Sequence, residues 1–326
     1  MKTAILKMLR ETDGYVSGQE ICAKLGVSRT AIWKVICRLQ EEGYQVEAVR
    51  SRGYRIVDGP DVVTSEEVTS LTSTEWAGKT VVYYPETDST NLRVKHLGDE
   101  GALHGTLAVA DRQTAGRGRR GRSWESPGGS CIYMSLLLRP DIAPDKAPML
   151  TLVMACSTAE GIRDCEDVEV QIKWPNDIII GGKKLAGILT EMSTQVDYIN
   201  HVTVGVGINV NIRKFPKEIQ NTATSLCLET GRPIKRAPVI AAVMRRFEEN
   251  YGIFMQTGDM SGLMGKYSRF LVNRGREVLI LEKGSDYRAY AEGINRKGEL
   301  VIRREDGTKE NICAGEVSVR GIYGYV

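Results

Sequence analysis

Leu107-Ala108-Val109-Ala110-Asp111-Arg112-Gln113-Thr114-Ala115-Gly116-Arg117-Gly118-Arg119-Arg120-Gly121-Arg122-Ser123-Trp124 begins apolar and turns abruptly into glycine and arginine. The first four residues read as a short buried strand, because a brief apolar run bounded by polar residues fits a sheet interior. Glycines at 116, 118 and 121 let a backbone approach a ligand closely and aim N–H groups at an anion. Arg117, Arg119, Arg120 and Arg122 add fixed positive charge in a fork that matches carboxylate or phosphate. The run lacks the Gly-Lys-Ser/Thr ending of a Walker phosphate loop. It occurs once, whereas arginine-glycine RNA-binding segments are repetitive. An anion-binding loop and a solvated basic turn both remain open on these residues alone.

Strand and helix patterns alternate on both sides, as in an α/β domain. Upstream, Val81–Tyr84 reads as a strand that leads to the polar run Asp88-Ser89-Thr90-Asn91. Downstream comes Lys173-Trp174-Pro175-Asn176-Asp177, then a strand at Ile178–Ile180, a Gly181-Gly182 turn and Lys183–Leu189. Those lysines suit either an ordinary strand edge or a polyanionic ligand. In Val204–Asn211, alternation points Val204, Val206, Ile208 and Val210 one way and Gly205, Gly207, Asn209 and Asn211 the other. The glycine face has room for a flat ligand or for close helix packing.

Residues 1–58 read as a separate winged helix-turn-helix. Ala4, Ile5, Met8 and Leu9 form one helical stripe, Ser17–Glu20 matches a capping box, and Ile21, Cys22 and Leu25 form the buried side of a second helix. Gly26 breaks that helix and Ser28 caps a third, in which Ile32, Val35, Ile36 and Leu39 recur at core spacing. Its exposed start carries Ser28, Arg29, Thr30, Trp33 and Lys34, positions that enter a major groove in such domains. Two short strands, Gln45–Val49 and Tyr54–Val57, form a wing bearing Arg50, Arg52 and Arg55 for phosphate contacts. Similar three-helix modules also bind proteins. Residues 1–58 hold ten Lys/Arg and seven Asp/Glu, so all of the chain's +3 charge lies there. That asymmetry favours a polyanion as partner. Residues 59–64 read as a linker, 65–270 as the α/β body, and 271–326 as a small β-barrel of strands near Val278–Leu281, Ala289–Ile294, Leu300–Ile302, Ile312–Ala314 and Val317–Val319.

Composition excludes several classes. The longest mainly apolar stretch, Ile132–Leu138, is too short to span a bilayer, and the first residues lack a signal-peptide core. Seven scattered cysteines without a Cys-x-x-Cys pair argue against a disulfide framework or zinc site and suit a reducing cytoplasm. His96, His104 and His201 lie outside every motif.

The three segments Gly116–Gly121, Lys173–Asp177 and Lys184-Leu185-Ala186-Gly187-Ile188 stand in the order and spacing of biotin–protein ligases. With the winged helix ahead of them, the chain resembles the bifunctional biotin ligase and biotin-operon repressor family over essentially its whole length. The resemblance implies an α+β multidomain fold with a central class II synthetase-like α/β domain and a C-terminal SH3-like barrel. It implies that Ser89, Thr90 and Asn91 line a biotin pocket, and that Gln113, Arg117, Gly118 and Arg119 contact the ligand. Trp124 packs over it, Gly187 and Gly205 floor the pocket, and Asn176 and Asn209 lie near adenine and ribose. Lys184 meets the biotin carboxylate and the adenylate phosphate, and Arg320 approaches the ATP phosphates. Arg117, Arg119, Lys173 and Lys184 then neutralise a carboxylate attacking the α-phosphate of ATP, with Mg²⁺ sharing the triphosphate charge. Asp177 orients Lys184, binds metal or is purely structural. The implied partners are biotin carboxyl carrier protein, operator DNA and a second copy of the chain when ligand is bound. A biotin sensor without catalysis, a lipoate ligase, and a ligase without a DNA role are the competing readings.

Overall fold

The computed structural model describes residues 1–195, 198–281, 286–313 and 318–321. The chain begins with helices α1 (Lys2–Glu11), α2 (Gly18–Leu25) and α3 (Arg29–Glu41), followed by the antiparallel wing β1 (Gln45–Val49) and β2 (Gly53–Asp58). Ser28 caps α3, its hydroxyl accepting from the Ala31 N–H at 3.2 Å. Ile32, Val35, Ile36 and Leu39 are all buried against α1 and α2 residues. Each such side chain contributes roughly 1.5–3 kcal/mol of apolar burial.

Two local expectations change. On α1 Leu6 joins Ile5, Met8 and Leu9 in the core, while Ala4 is half-buried, because the larger side chain fills the three-helix core. At Ser17 one half of the capping box is present among the described residues: its hydroxyl accepts from the Glu20 N–H at 3.1 Å. In the wing, Val16 bridges Tyr54 so closely that a Cβ on Gly53 would lie 2.0 Å from the Val16 carbonyl oxygen.

The central body contains α4 (Ser65–Leu71), β3 (Val81–Thr87), α5 (Thr90–Asp99), β4 (Leu107–Gln113), β5 (Cys131–Leu138), α6 (Met149–Cys165), β6 (Gln171–Lys173), β7 (Asp177–Ile180), β8 (Lys183–Gln195), β9 (Tyr198–Asn209), α7 (Leu226–Thr230), α8 (Arg236–Thr257) and α9 (Met264–Phe270). The sheet order is β3-β4-β5-β9-β8-β7-β6, and β3 and β4 are its parallel neighbours. Parallel pairing needs a crossover, which α5 supplies between them. Elsewhere the strands pair antiparallel, so the sheet is mixed. Helices α6 and α8 pack against each other and the sheet, burying Val204, Val206 and Ile208 on the face that alternation sets opposite Gly205 and Gly207.

Strands β10 (Arg276–Leu281), β11 (Tyr287–Ile294), β12 (Leu300–Arg303), β13 (Lys309–Ile312) and β14 (Ser318–Gly321) form an antiparallel sheet in the order β13-β12-β11-β10-β14. The expected strand ends at Ala314 and Val317 lie outside the described residues. The β6–β7 turn anchors this module: the buried Trp174 donates Nε1–H to the Gly298 carbonyl at 2.9 Å, and its backbone N–H to Asn273 Oδ1 at 2.8 Å.

Candidate active site

The end of β4 and the start of α5 build one wall together. Gln113 Oε1 accepts from the Thr90 N–H at 2.8 Å and from Thr90 Oγ1 at 3.1 Å, so a strand residue caps the helix. Gln113 Nε2 donates to Ser126 Oγ at 3.0 Å, tying the return limb of the glycine-arginine loop to the same point. Asn91 Nδ2 donates to Glu191 Oε2 at 2.7 Å and to the Leu189 carbonyl at 3.3 Å. The buried Ser135 hydroxyl lies 2.7 Å from Asn91 Oδ1 and 2.8 Å from Thr90 Oγ1. These bonds hold the wall rigid.

The glycine-arginine loop is a small hairpin. Trp124 N–H donates to the Gly116 carbonyl at 2.9 Å and Gly118 N–H to the Arg122 carbonyl at 2.7 Å. A Cβ on Gly116 would meet the Trp124 carbonyl oxygen at 2.4 Å. Gly116 and Gly118 therefore serve close strand approach within the loop itself, and the Gly118 N–H expected to face an anion is taken by Arg122. Arg120 and Gly121 turn the tip with φ of 58° and 71°. Arg119 reaches back across the pocket, Nη1 donating to Asn176 Oδ1 at 2.8 Å. Burial, reinforced by Arg120 and Arg122, lowers its guanidinium pKa from the ordinary value, while Asp177 opposes the shift.

On the far side, Lys184 Nζ lies 2.6 Å from Asp177 Oδ1 and 5.3 Å from the centre of the Trp124 ring. Asn176 Nδ2 donates to Asp177 Oδ1 at 3.1 Å and to the Ile188 carbonyl at 3.2 Å. The floor is glycine. A Cβ on Gly205 would lie 1.9 Å from Asn91 Oδ1; on Gly207, 2.8 Å from the Trp124 ring; and on Gly187, 3.2 Å from it. The indole thus covers Gly187 and Gly207. Among the described residues its buried Nε1–H has no partner.

Ser89, Thr90, Asn91, Gln113, Arg117, Gly118, Arg119, Trp124, Asn176, Lys184, Gly187 and Gly205 all line a single cavity of about 60 Å³. Lys173 and Asn209 do not line it. Lys173 is buried at the end of β6, and Asn209 Nδ2 donates to the Thr224 carbonyl at 3.0 Å. Arg320 sits on β14 opposite Leu279, and its side chain lies outside the described residues.

Three family models match the chain: "HTH domain" over residues 2–55, "Biotin/lipoate A/B protein ligase family" over 83–209, and "Biotin protein ligase C terminal domain" over 275–320. The bifunctional ligase/repressor BirA of Bacillus subtilis (strain 168) is 40% identical over 298 residues, 91% of each protein. This chain belongs to the bifunctional biotin ligase/repressor family. A further family relative, BirA of Escherichia coli (strain K12), is 30% identical over 307 residues, 93% of this chain and 92% of that one. Among solved structures, the biotin protein ligase from Aquifex aeolicus in complex with biotin and ATP superposes with a TM-score of 0.66. It shares 34% identity and covers 74% of this chain and 99% of its own.

Sequence reasoning does not name Tyr133, Ile188, Leu189 and Val206 as site residues and places Gly207 only on the glycine face, yet all five line the pocket. Gly207 carries a signal, since strand alternation places it on the same face as Gly205. Tyr133 and Leu189 carry none, being ordinary apolar strand residues until β5 and β8 flank β9.

On the winged helix, Arg29, Thr30, Trp33 and Lys34 of α3 and Arg50 and Arg52 of the wing are exposed. Ser28 is exposed but its hydroxyl is occupied by capping. Arg55 is half-buried, pairs with Glu47 at 2.9 Å, and with Arg52 stacks over the Tyr15 ring.

Proposed function

We propose that the pocket joins the carboxylate of biotin to the α-phosphate of ATP and passes the biotinyl group to a lysine of a biotin carboxyl carrier protein. Residues 1–58 meanwhile bind operator DNA, joined by residues 59–64 to a catalytic domain at 65–270, with 271–326 as the C-terminal module. One observation carries the enzymatic reading: Arg117 and Arg119 of the loop and Lys184, some sixty-five residues further on, line one cavity with the Ser89–Asn91 wall.

The residue types suit the chemistry. Two anions must meet: Arg119 and Lys184, held in place by Asn176 and Asp177, lower the cost of that encounter and stabilise the transferring phosphorus, and the exposed Arg117 adds charge at the rim. Ser89–Asn91 and Gln113 offer a polar end for a ureido ring, and Gly187, Gly205 and Gly207 leave a flat floor. The acceptor amine then attacks the mixed anhydride and AMP leaves, so no enzyme nucleophile is needed. A cavity of about 60 Å³ falls well short of roughly 300 Å³ for a typical small-molecule site. Ligand entry therefore displaces the Trp124 indole from Gly187 and Gly207, after which it packs on the ligand and excludes water. Among the described residues no group of three or more His, Cys, Asp or Glu is placed to hold a metal ion. Mg²⁺ would share the charge of the triphosphate, which needs no dedicated protein cage.

The seven cysteines are all free thiols, in keeping with a cytoplasmic protein. Among the described residues no helix is long and apolar enough to cross a membrane. Beyond Ile188, which bonds to Asn176, β8 has no strand partner on its outer edge among the described residues, and Met192 is exposed there. That open edge supports a ligand-induced homodimer that sets two winged helices on two half-sites. A chain that sediments as a monomer at micromolar concentration with biotin and ATP would rule the dimer out.

The activity test mixes the chain with MgATP and a biotinoyl carrier domain, adds either biotin or lipoate, and reads label with streptavidin or an anti-lipoyl antibody. Biotin transfer without lipoate transfer is expected. Absence of both leaves the sensor reading.

A further inference from the structure

A buried polar network outside the pocket joins the linker to the catalytic sheet. The Arg236 side chain, at the start of α8, is 3% exposed. Its Nε donates to Asp61 Oδ2 at 3.0 Å, its Nη2 to the Asp61 carbonyl at 3.0 Å, and its backbone N–H to Asp61 Oδ1 at 2.9 Å. The other arm of the fork, Nη1, donates to Asp111 Oδ1 at 2.8 Å and to the Cys131 carbonyl at 3.2 Å. Burial disfavours this charge, but Asp111 and Asp61 together hold the guanidinium pKa above its ordinary value.

Both carboxylates lead elsewhere. Asp111 Oδ2 accepts from the Gly129 N–H at 3.0 Å, where the return limb of the glycine-arginine loop rejoins the sheet. Asp111 also lies two residues before Gln113, the residue that ties the loop to α5. Asp61 Oδ2 accepts from Asn211 Nδ2 at 3.2 Å, just beyond the pocket glycines of β9. The neighbouring Lys235 pairs with Asp58, the last residue of the wing strand β2. One guanidinium therefore grips the base of the ligand loop and the tether of the winged helix at once.

We propose that Arg236 is a positioning residue that couples the ligand loop to the winged-helix tether: displacement of the loop on ligand entry is passed through Asp111 and the Arg236 fork to Asp61. The inference rests on the pocket being the site of biotin and ATP. A buried fork bonded to two carboxylates switches between discrete arrangements rather than stretching. A merely structural fork would hold the tether equally in both ligand states.

Hydrogen exchange on the full chain, with and without biotin plus MgATP, tests this in the wild type, Asp61→Asn and Arg236→Lys. In the wild type, ligand is expected to slow exchange about tenfold or more in peptides spanning both 114–129 and 59–66. In Asp61→Asn the 114–129 response persists, the 59–66 response vanishes, and kcat for biotin transfer stays within about twofold. Arg236→Lys keeps the charge but loses the fork, and the same loss at 59–66 is expected. A 59–66 response that survives in both variants, or that is missing from the wild type while 114–129 responds, overturns the coupling. Silence at 114–129 in the wild type overturns the pocket assignment and the coupling with it.

Discussion

The winged helix and the pocket present their cations in opposite ways. The first gathers its cations from about thirty consecutive residues and leaves Arg29, Lys34, Arg50 and Arg52 exposed on its surface. The second draws on separate segments between Ser89 and Gly207 and holds the half-buried Arg119 and Lys184 among hydrogen bonds and an indole, with Arg117 exposed at its rim. Exposed charges are screened and individually weak, whereas preorganised charges in a recess act strongly on a reacting group. Single substitutions should therefore have large effects in the pocket and graded effects on the DNA face.

Lys184→Ala sharpens that contrast most. It should lower the rate of biotin-dependent adenylate formation by about 10² to 10³, the usual cost of one preorganised donor, as read by pyrophosphate release. Thermal stability and DNA binding should hardly change; an activity loss under threefold would break the contrast. Gly205→Ala comes next. Its Cβ would overlap Asn91 Oδ1 at 1.9 Å, so KM for biotin should rise by about tenfold or more, with a smaller change in kcat. An unchanged KM would show that the glycine floor is not the ligand's.

On the winged helix, Gly53→Ala forces a Cβ to 2.0 Å from the Val16 carbonyl oxygen at a φ of 112°. It should destabilise this domain by about 1–3 kcal/mol, visible in a denaturant titration, while biotin transfer by the catalytic domain continues. Smallest of all, Arg52→Ala should weaken binding to random-sequence duplex DNA a few-fold. It should also reduce the salt dependence by about one counterion, with catalysis unaffected. An effect on transfer larger than that on DNA would erase the distinction between the two regions.

The same contrast explains what could be read from the sequence. The winged helix was legible because its signals are local: the Ser28 cap, the apolar repeat Ile32–Leu39 and the Gly26 break follow one another along a short stretch of chain. The pocket was legible where a motif carried it, as in Gly116–Trp124, or where strand alternation did, as at Gly205. Lys173 and Asn209 show the limit. Both belong to motifs beside the pocket, yet the β6–β7 turn brings Asn176 to it instead, and the 221–225 segment takes the Asn209 amide. Arg236 belongs to no motif and acquires its partners only when three distant segments meet.

Trp174 has a practical consequence for anyone cutting this protein into pieces. Its indole is buried in the catalytic body, but its N–H is satisfied by a carbonyl 124 positions further on. A fragment ending at Phe270 would strip the cover from that aromatic and orphan its donor, two defects of a kind that each cost kilocalories. The barrel-side turn is a keystone, and trimmed versions of the enzyme should aggregate unless the residue is replaced together with it.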